Sequence, residues 1–483
     1  MKKILVSQYF YLCLILIFAF LVRLYKIDSP IADWHSWRQA DTAAVTRNFI
    51  KEGFTPFLPK FDDISAISEI PISNPLGFRF VEFPVYNIFV YPFYLFFGVD
   101  EKYHRLVSVI FSLGTIIFLY FFTRKYFGKM TAFFSSFIFA FLPFNVYFSR
   151  TTLPEPTFVF FSMGMMYFID SWIWEKKKMW GFWGFIFATV AFLMKPWAIF
   201  FYLPLILSAF RKKTVKRFLL FSAFAILPFI LWRLWILQQP PGIPASSWLF
   251  NGDGVRLRPA FWWWIVSERI GREILGAGGL VLFILGLLIR PKDSNYIMHF
   301  WALSIFLYFV IFATGNVRHD YYQILFVPIG SVFTAVGFVA LLKGKDLFIS
   351  RIFTILIGLV LFTLTFYFGY KQVKGLYQIN NFSMVEAGRR ADQILPKDAI
   401  VLAPYNGDSA FLYQINRKGF PYVPTSIKEL IVDYGVKYYI SPNYDDRTNW
   451  VLRHFYTLDK NPKFVIADLT RIKKDFDKLD PEP

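Results

Sequence analysis

Between Asp33 and Asp41 the chain reads Asp-Trp-His-Ser-Trp-Arg-Gln-Ala-Asp, which gathers two carboxylates, an imidazole, a guanidinium and an amide into one short stretch. Farther along, isolated polar residues interrupt apolar sequence: Arg150-Thr-Thr-Leu-Pro-Glu155-Pro, Lys195-Pro196 and Arg318-His-Asp-Tyr-Tyr322. A carboxylate takes the proton from an attacking hydroxyl or amine. Cations bind a phosphate leaving group and stabilise the charge that grows on it as its bond breaks. Asp41, Asp33 and Glu155 are therefore the candidate catalytic groups, with Asp41 favoured over Asp33. His35 is a third candidate base, because an imidazole is also competent. His35, Arg38, Gln39, Arg150, Lys195, Arg318 and His319, with Tyr321 and Tyr322, are candidates for holding the phosphate or the substrate.

Each feature also has a plainer reading. Trp34 and Trp37 suit an interfacial belt, Asp41 a helix-surface acid paired to Arg38 or Arg47, and Lys195 a snorkelling lysine. Glu155 suits a helix N-terminus through the macrodipole, and His319 to Tyr322 another aromatic belt.

The elements that must position these residues are mostly membrane spans. Of the 483 residues, 56% are hydrophobic and 22% aromatic, and they arrive in long apolar runs. The net charge of +19 would otherwise suggest nucleic acid. Here the Lys and Arg residues fall in short clusters between apolar runs, which is orientation information for a membrane protein and points away from nucleic acid. The single cysteine, Cys13, sits inside the first run, so there is no disulfide framework and no cysteine metal site.

Basic clusters occur at Lys2-Lys3, Arg124-Lys125 with Lys129, Lys176 to Lys178, Arg211 to Arg217, Arg290 with Lys292, and Lys343 with Lys345. With all of them cytoplasmic, the expected spans are 4–23, 104–123, 130–149, 156–174, 180–194, 196–210, 217–237, 272–289, 296–314, 320–342 and 350–370. The N-terminus is then inside. The first span has no small-residue cleavage site and is expected to remain uncleaved. Residues 83–98, which contain two internal prolines, are expected to lie in the interface or re-enter on the outer face. This arrangement sorts the unusual polar residues to the outer side and leaves plain basic runs on the inner side.

The expected fold class is a polytopic α-helical membrane protein of about eleven transmembrane helices with a small C-terminal extracytoplasmic α/β domain. Residues 1–375 form the membrane domain, including a first outer loop 24–103, and 376–483 form the α/β domain. In the latter, 384–395, 408–414 and 426–434 read as helices, and 399–403, 438–441 and 464–469 as strands.

The order and sidedness of these motifs resemble the C-type-fold (GT-C) glycosyltransferases that use polyprenyl-phosphate sugars, such as the protein O-mannosyltransferases and the lipid A aminoarabinose transferases. The resemblance is carried by Trp37-Arg-Gln-Ala-Asp-Thr-Ala-Ala-Val-Thr-Arg-Asn-Phe49, Glu82-Phe-Pro84, Arg105-Leu-Val-Ser108, Leu153-Pro-Glu-Pro156, Lys195-Pro196 and His319-Asp-Tyr-Tyr322. It covers residues 21 to about 328 and extends more loosely to the C-terminal domain.

The resemblance implies an inverting transfer of a hexosyl or pentosyl group from a polyprenyl-phosphate donor to an extracytoplasmic acceptor that is a lipid, glycan or protein. The enzyme would be embedded in the lipids of the cytoplasmic (inner) membrane, with its C-terminal domain outside. Glu155 matches the family's acid at the outer end of a helix, and Lys195 falls where members place a lysine near the lipid phosphate. Many members begin the first loop with an adjacent Asp-Glu pair. Aligned on Arg47, those positions are Arg38 and Gln39 here, so the base falls to Asp41, Asp33 or His35. No cofactor is implied and no metal ligand is assigned; a divalent cation is compatible with this chemistry without being required. Two other readings are a flippase or transporter for a lipid-linked glycan and a polymerase or ligase of whole glycan chains. Transporters usually carry internal repeats and midplane polar residues, and neither is visible.

Overall fold

The computed structural model describes residues 8–291, 295–344, 350–473 and 482. Lys2-Lys3, Lys292 and Lys345, used above for orientation, lie outside the described residues. The chain divides into two compact units, and the division does not follow the sequence linearly. One unit comprises 1–27, 105–235 and 246–377; the other comprises 28–104, 236–245 and 378–483.

The first unit is helical. Each of the eleven intervals expected to span is helical over most of its length among the described residues. Glu101–Phe141 and Val215–Ile236 are long and apolar enough to cross a bilayer, as is the run that begins with Arg351–Val373. Pro259–Ile274 and Gly278–Leu288 form a further pair bent by 114°. Lys178–Met194, Ile297–Ile311 and Val327–Lys343 are shorter apolar helices. Leu219, Leu220, Phe224, Leu231 and Leu234 stand exposed along Val215–Ile236, as expected of a helix whose outer surface meets acyl chains rather than water.

The breaks in this unit have residue-level causes. Glu101–Phe141 is two helices joined at Gly128, which adopts φ 83°, a conformation glycine reaches without a Cβ penalty. Lys195 is extended between Lys178–Met194 and Ile199–Arg211, since the proline that follows it disfavours helical geometry at its own position. Gly286 and Gly337 let Gly278–Leu288 and Val327–Lys343 approach backbone to backbone. A Cβ at Gly286 would lie 2.0 Å from the Phe333 carbonyl oxygen, and one at Gly337 would lie 2.0 Å from that of Leu282. Small residues at such crossings are how helices pack tightly where no hydrophobic drive separates them from lipid.

The second unit joins the first outer loop to the C-terminal segment. Its sheet has the order β2-β1-β3-β5-β4, with β1 at Ile400–Leu402, β2 at Gly419–Phe420, β3 at Val436–Ser441, β4 at Phe455–Asn461 and β5 at Phe464–Ile472. β2, β1 and β3 are parallel, and β5 runs antiparallel to both β3 and β4. The loop extends this sheet: Gly419 N–H donates to the Asp62 carbonyl (2.9 Å), and Ile64 N–H to the Gly419 carbonyl (3.1 Å).

Helix Ser36–Glu52 buries Ala40, Ala43, Ala44 and Phe49 in one core with Met384, Ala391, Phe411 and Ile415. Apolar burial on this scale is the main favourable term in folding, so the loop and the C-terminal segment stabilise each other. The interval 83–98 is largely the helix Val85–Phe97 with Pro92 inside it. Its Asn87 is buried and donates to the Thr42 carbonyl (2.7 Å) and Thr46 Oγ1 (2.8 Å).

Candidate functional site

In the helical unit, Glu155 and Lys195 come together. Glu155 is the first residue of Glu155–Glu175 and is wholly buried. Lys195 occupies the extended break between two helices, and its Nζ lies 2.5 Å from Glu155 Oε1. The pair fixes only one carboxylate oxygen. Glu155 Oε2 is buried with no hydrogen-bond partner among the described residues, which leaves this oxygen free to accept a hydrogen bond. Aromatic rings close over the lysine: Nζ is 4.7 Å from the Trp197 ring centroid and 5.9 Å from that of Tyr322. Such faces attract a cation and exclude water. The plainer reading of Lys195 as a snorkelling lysine does not fit, since its side chain is only 7% exposed.

The remaining candidates of this unit are placed differently. Arg150 is fully buried, donates to the Lys26 carbonyl (3.1 Å) and stacks on Tyr377 (5.0 Å). His319 packs against Trp248, Tyr321 and Tyr322, so the aromatic cluster runs from His319 through Tyr322 to Trp197. Arg318 lies at the edge of this cluster, 5.5 Å over the Trp248 ring. It is half-exposed and paired to the half-exposed Asp253 at 2.7 Å, a contact of the kind that contributes at most about 1 kcal/mol.

In the second unit the first-loop candidates form a chain of polar contacts. Asp33 Oδ1 accepts from Gln39 Nε2 (2.7 Å), which also donates to the Trp34 carbonyl (2.9 Å). His35 precedes the helix with φ 55°, a left-handed conformation uncommon outside glycine. Arg38 pairs with Glu82 at 2.6 Å. Asp41 pairs with neither Arg38 nor Arg47: its Oδ2 meets Arg79 at 2.6 Å, and its Oδ1 accepts from Ser409 Oγ at 2.5 Å. Arg47 instead holds Asp62 and donates to the Tyr413 carbonyl. Ser36 donates to Asp408 at 2.7 Å. A cavity of about 10 Å³, room for one water, lies among Arg38, Asp41, Arg79, Glu82 and Asn87.

Burial dominates the electrostatics of this network. It raises the Asp41 carboxyl, against the opposing pull of Arg79 and the Ser409 hydrogen bond. Burial pushes Asp63 up to about 6, against hydrogen bonds from Ser65. The Arg79 guanidinium is lowered by burial, with Asp41 acting in the other direction.

Arg79, Asp62, Asp63, Ser409 and Trp197 were not reached by reading the sequence. Trp197 had a signal, being two residues beyond Lys195. Ser409 had none, because it lies 368 positions from the carboxylate it contacts. Among the described residues no group of three or more His, Cys, Asp or Glu is placed to hold a metal.

Residues 82–235 match the family model of the dolichyl-phosphate-mannose-protein mannosyltransferases. ArnT from Cupriavidus metallidurans, in the crystal structure bound to undecaprenyl phosphate, aligns with a TM-score of 0.66 at 12% identity, covering 94% of this chain and 97% of that one. The chain has the GT-C fold. The GT-C oligosaccharyltransferase of Archaeoglobus fulgidus in its apo form aligns at TM-score 0.58 and 11% identity, covering 90% of this chain and 70% of that one. The oligosaccharyltransferase AglB of the same organism, in complex with an inhibitory peptide and a dolichol-phosphate, gives TM-score 0.56 and 11% identity over 90% and 70%. No curated protein matches the sequence. The resemblance to GT-C glycosyltransferases therefore holds, and the chain is an integral membrane protein. The matched segment 82–235 contains both Glu155 and Lys195.

Proposed function

We propose that this protein is an inverting glycosyltransferase of the inner membrane that moves a hexosyl or pentosyl group from a polyprenyl-phosphate donor to an extracytoplasmic lipid, glycan or protein. Support comes from the GT-C fold and the mannosyltransferase segment, and from structural neighbours captured with undecaprenyl phosphate and dolichol-phosphate. One observation carries the reading: a buried glutamate with one oxygen on a buried lysine and the other unpartnered, inside the matched segment.

In this proposal Lys195 binds the donor phosphate and stabilises the negative charge that develops on it as the anomeric C–O bond breaks. The acceptor oxygen or nitrogen attacks the anomeric carbon from the opposite face, which inverts it, and the polyprenyl phosphate leaves. A carboxylate takes the acceptor's proton. Glu155 shares that task or orients the acceptor, and Asp41 and Asp33 are the alternative bases of the first loop. Arg38, Arg150, Arg318 and His319 are the further phosphate candidates, and the C-terminal domain is extracytoplasmic. The resemblance to the monosaccharide-transfer families favours this reading over a transporter or a chain polymerase.

The test is the surface-glycan mass profile of a deletion strain complemented with wild type, Glu155→Gln or Asp41→Asn. Loss of one sugar, restored by wild type and not by inserted Glu155→Gln, is the expected result. Unchanged glycans, or full complementation by both variants, would overturn the proposal. Lipid-linked precursor accumulating on the inner leaflet would point to transport.

A further inference from the structure

A second cavity lies away from the polar chain of the first loop. It is a groove of about 530 Å³ on the second unit, between helix Phe382–Ile394 and strands β4 and β5. The helix presents two faces. Met384, Val385, Ala387, Gly388 and Ala391 are buried in the core, whereas Phe382, Glu386, Arg389 and Gln393 follow one another at helical spacing along the groove.

Two ion pairs tie the walls of the groove together. Arg390 Nε holds Asp459 on β4 at 2.6 Å, and Lys463, in the turn between β4 and β5, holds Glu386 at 2.7 Å. Arg389 makes no ion pair among the described residues, and with Lys463 at the rim counted beside Arg389, Arg390, Glu386 and Asp459 the groove carries a net charge of +1.

The amides add donors. Asn461 Oδ1 is taken by the backbone N–H groups of Lys463 and Phe464, which leaves its N–H₂ to donate. Gln393 Oε1 accepts from Arg390 and likewise leaves its N–H₂. Beside these donors, Phe382 keeps 67% of its surface exposed, although burying such a ring would stabilise the fold.

We propose that this groove binds an anionic sugar residue, carrying a carboxylate or a phosphate. Arg389 supplies a planar fork for the anion, and the two amides meet ring and hydroxyl oxygens. The oxygens of Asp459 and Glu386 not used in the ion pairs accept sugar hydroxyls. Phe382 covers the apolar face of the pyranose. An acidic peptide would use the guanidinium but has no equivalent apolar ring face to set against Phe382. Taking the bound glycan to be the acceptor rests on the transferase reading; the binding itself does not.

The experiment is saturation-transfer NMR and competition binding on the full-length protein in nanodiscs without any sugar donor. The probes are trigalacturonate, glucose 6-phosphate, maltotriose and triaspartate at millimolar concentration. Saturable binding of trigalacturonate or glucose 6-phosphate is expected, and whichever binds more tightly names the anion. Arg389→Gln should weaken it at least tenfold, and Phe382→Ala should remove ring contacts, whereas Arg453→Gln, outside the groove, should leave it unchanged.

Absence of binding by both anionic sugars would overturn the proposal. So would maltotriose or triaspartate binding as tightly, or an Arg389→Gln protein that melts like wild type and binds like it. Failure here with intact glycan transfer refutes the groove alone. Binding in a protein that Glu155→Gln leaves fully active refutes the catalytic assignment alone.

Discussion

The buried pair of Lys195 and Glu155 gives the sharpest test, because removing one charge should destabilise the fold and removing both should not. At 2.5 Å, Coulomb's law with an effective dielectric of 20 gives an attraction of about 7 kcal/mol. The cost of desolvating both ions offsets much of this. Stripping one partner from such a pair typically costs about 3–5 kcal/mol, because the other charge is left buried alone. Lys195→Met is therefore expected to lower the unfolding midpoint in detergent clearly, and Glu155→Gln to do so by a similar margin. The double variant Glu155→Gln/Lys195→Met leaves no buried charge and should melt within about 1 kcal/mol of wild type.

All three variants should lose sugar transfer, the loss for Glu155→Gln being on the order of 10²-fold or more if it moves the proton. A double variant that is stable and inactive would separate the chemistry of the pair from its part in the fold. Additive destabilisation in the double variant would refute the reasoning, since it would mean that the two side chains do not share one desolvated site. A Lys195→Met protein that melts normally would refute it too.

Three further outcomes follow from the geometry. Asp63→Asn should stabilise the second unit at pH 8. The carboxyl binds its proton more tightly folded, at about 6, than unfolded, at 3.8, so wild-type stability falls as pH rises through that window. The gain is at most about 3 kcal/mol above pH 6 and vanishes below about pH 4; hydrogen exchange of peptides around 60–65 and 419–420 as a function of pH checks it. Asp41→Asn strands the buried Arg79 and should cost several kcal/mol. Asp33→Asn should leave the melting profile nearer to wild type, so the base is identified by which of the two variants, folded and measured below its own melting midpoint, loses transfer. Gly337→Ala should lower the melting midpoint by forcing two helix backbones apart, whereas Gly375→Ala, with nothing within 4 Å of the added carbon, should not.

Much of the helical unit was legible in the sequence because a bilayer imposes a local rule. A span must be long and apolar, and its ends are marked by charge, proline or glycine. Lys195-Pro196 shows the rule at work: a break read from two residues proved to be the extended link between two helices that holds the lysine against Glu155. The bend between Pro259–Ile274 and Gly278–Leu288 was less legible, since the expected span begins only at 272. Its first arm is partly a π-helix, and i to i+5 hydrogen bonding leaves little trace in hydrophobic periodicity. In the C-terminal segment the helix Asp446–His454 was missed, although Asp445 caps it through Thr448 N–H and the pattern was present to be read.

The partners of the first-loop acids were illegible for a different reason. The sequence offered Arg38 and Arg47 for Asp41 because both lie on the same helix, at three and six positions' distance. Arg38 is instead drawn to Glu82 and Arg47 to Asp62, and Asp41 is met by Arg79 and Ser409. Neighbours on a solvated helix surface exchange only a few tenths of a kcal/mol, whereas a buried charge left unpaired costs several. Once helix Ser36–Glu52 is buried from Arg38 to Phe49, the larger energy chooses the pairing, and tertiary structure decides which partner is within reach. Burial of this helix, which its low apolar content does not announce, is therefore the step from which the rest of the network follows. It depends on the C-terminal segment: Phe411 and Ile415 supply the apolar surface, and Ser409 the hydroxyl. A chain truncated after 377 should lose the order of the first loop along with the domain itself, and amide exchange across 36–52 would show it; undiminished protection there would mean that the loop folds on its own.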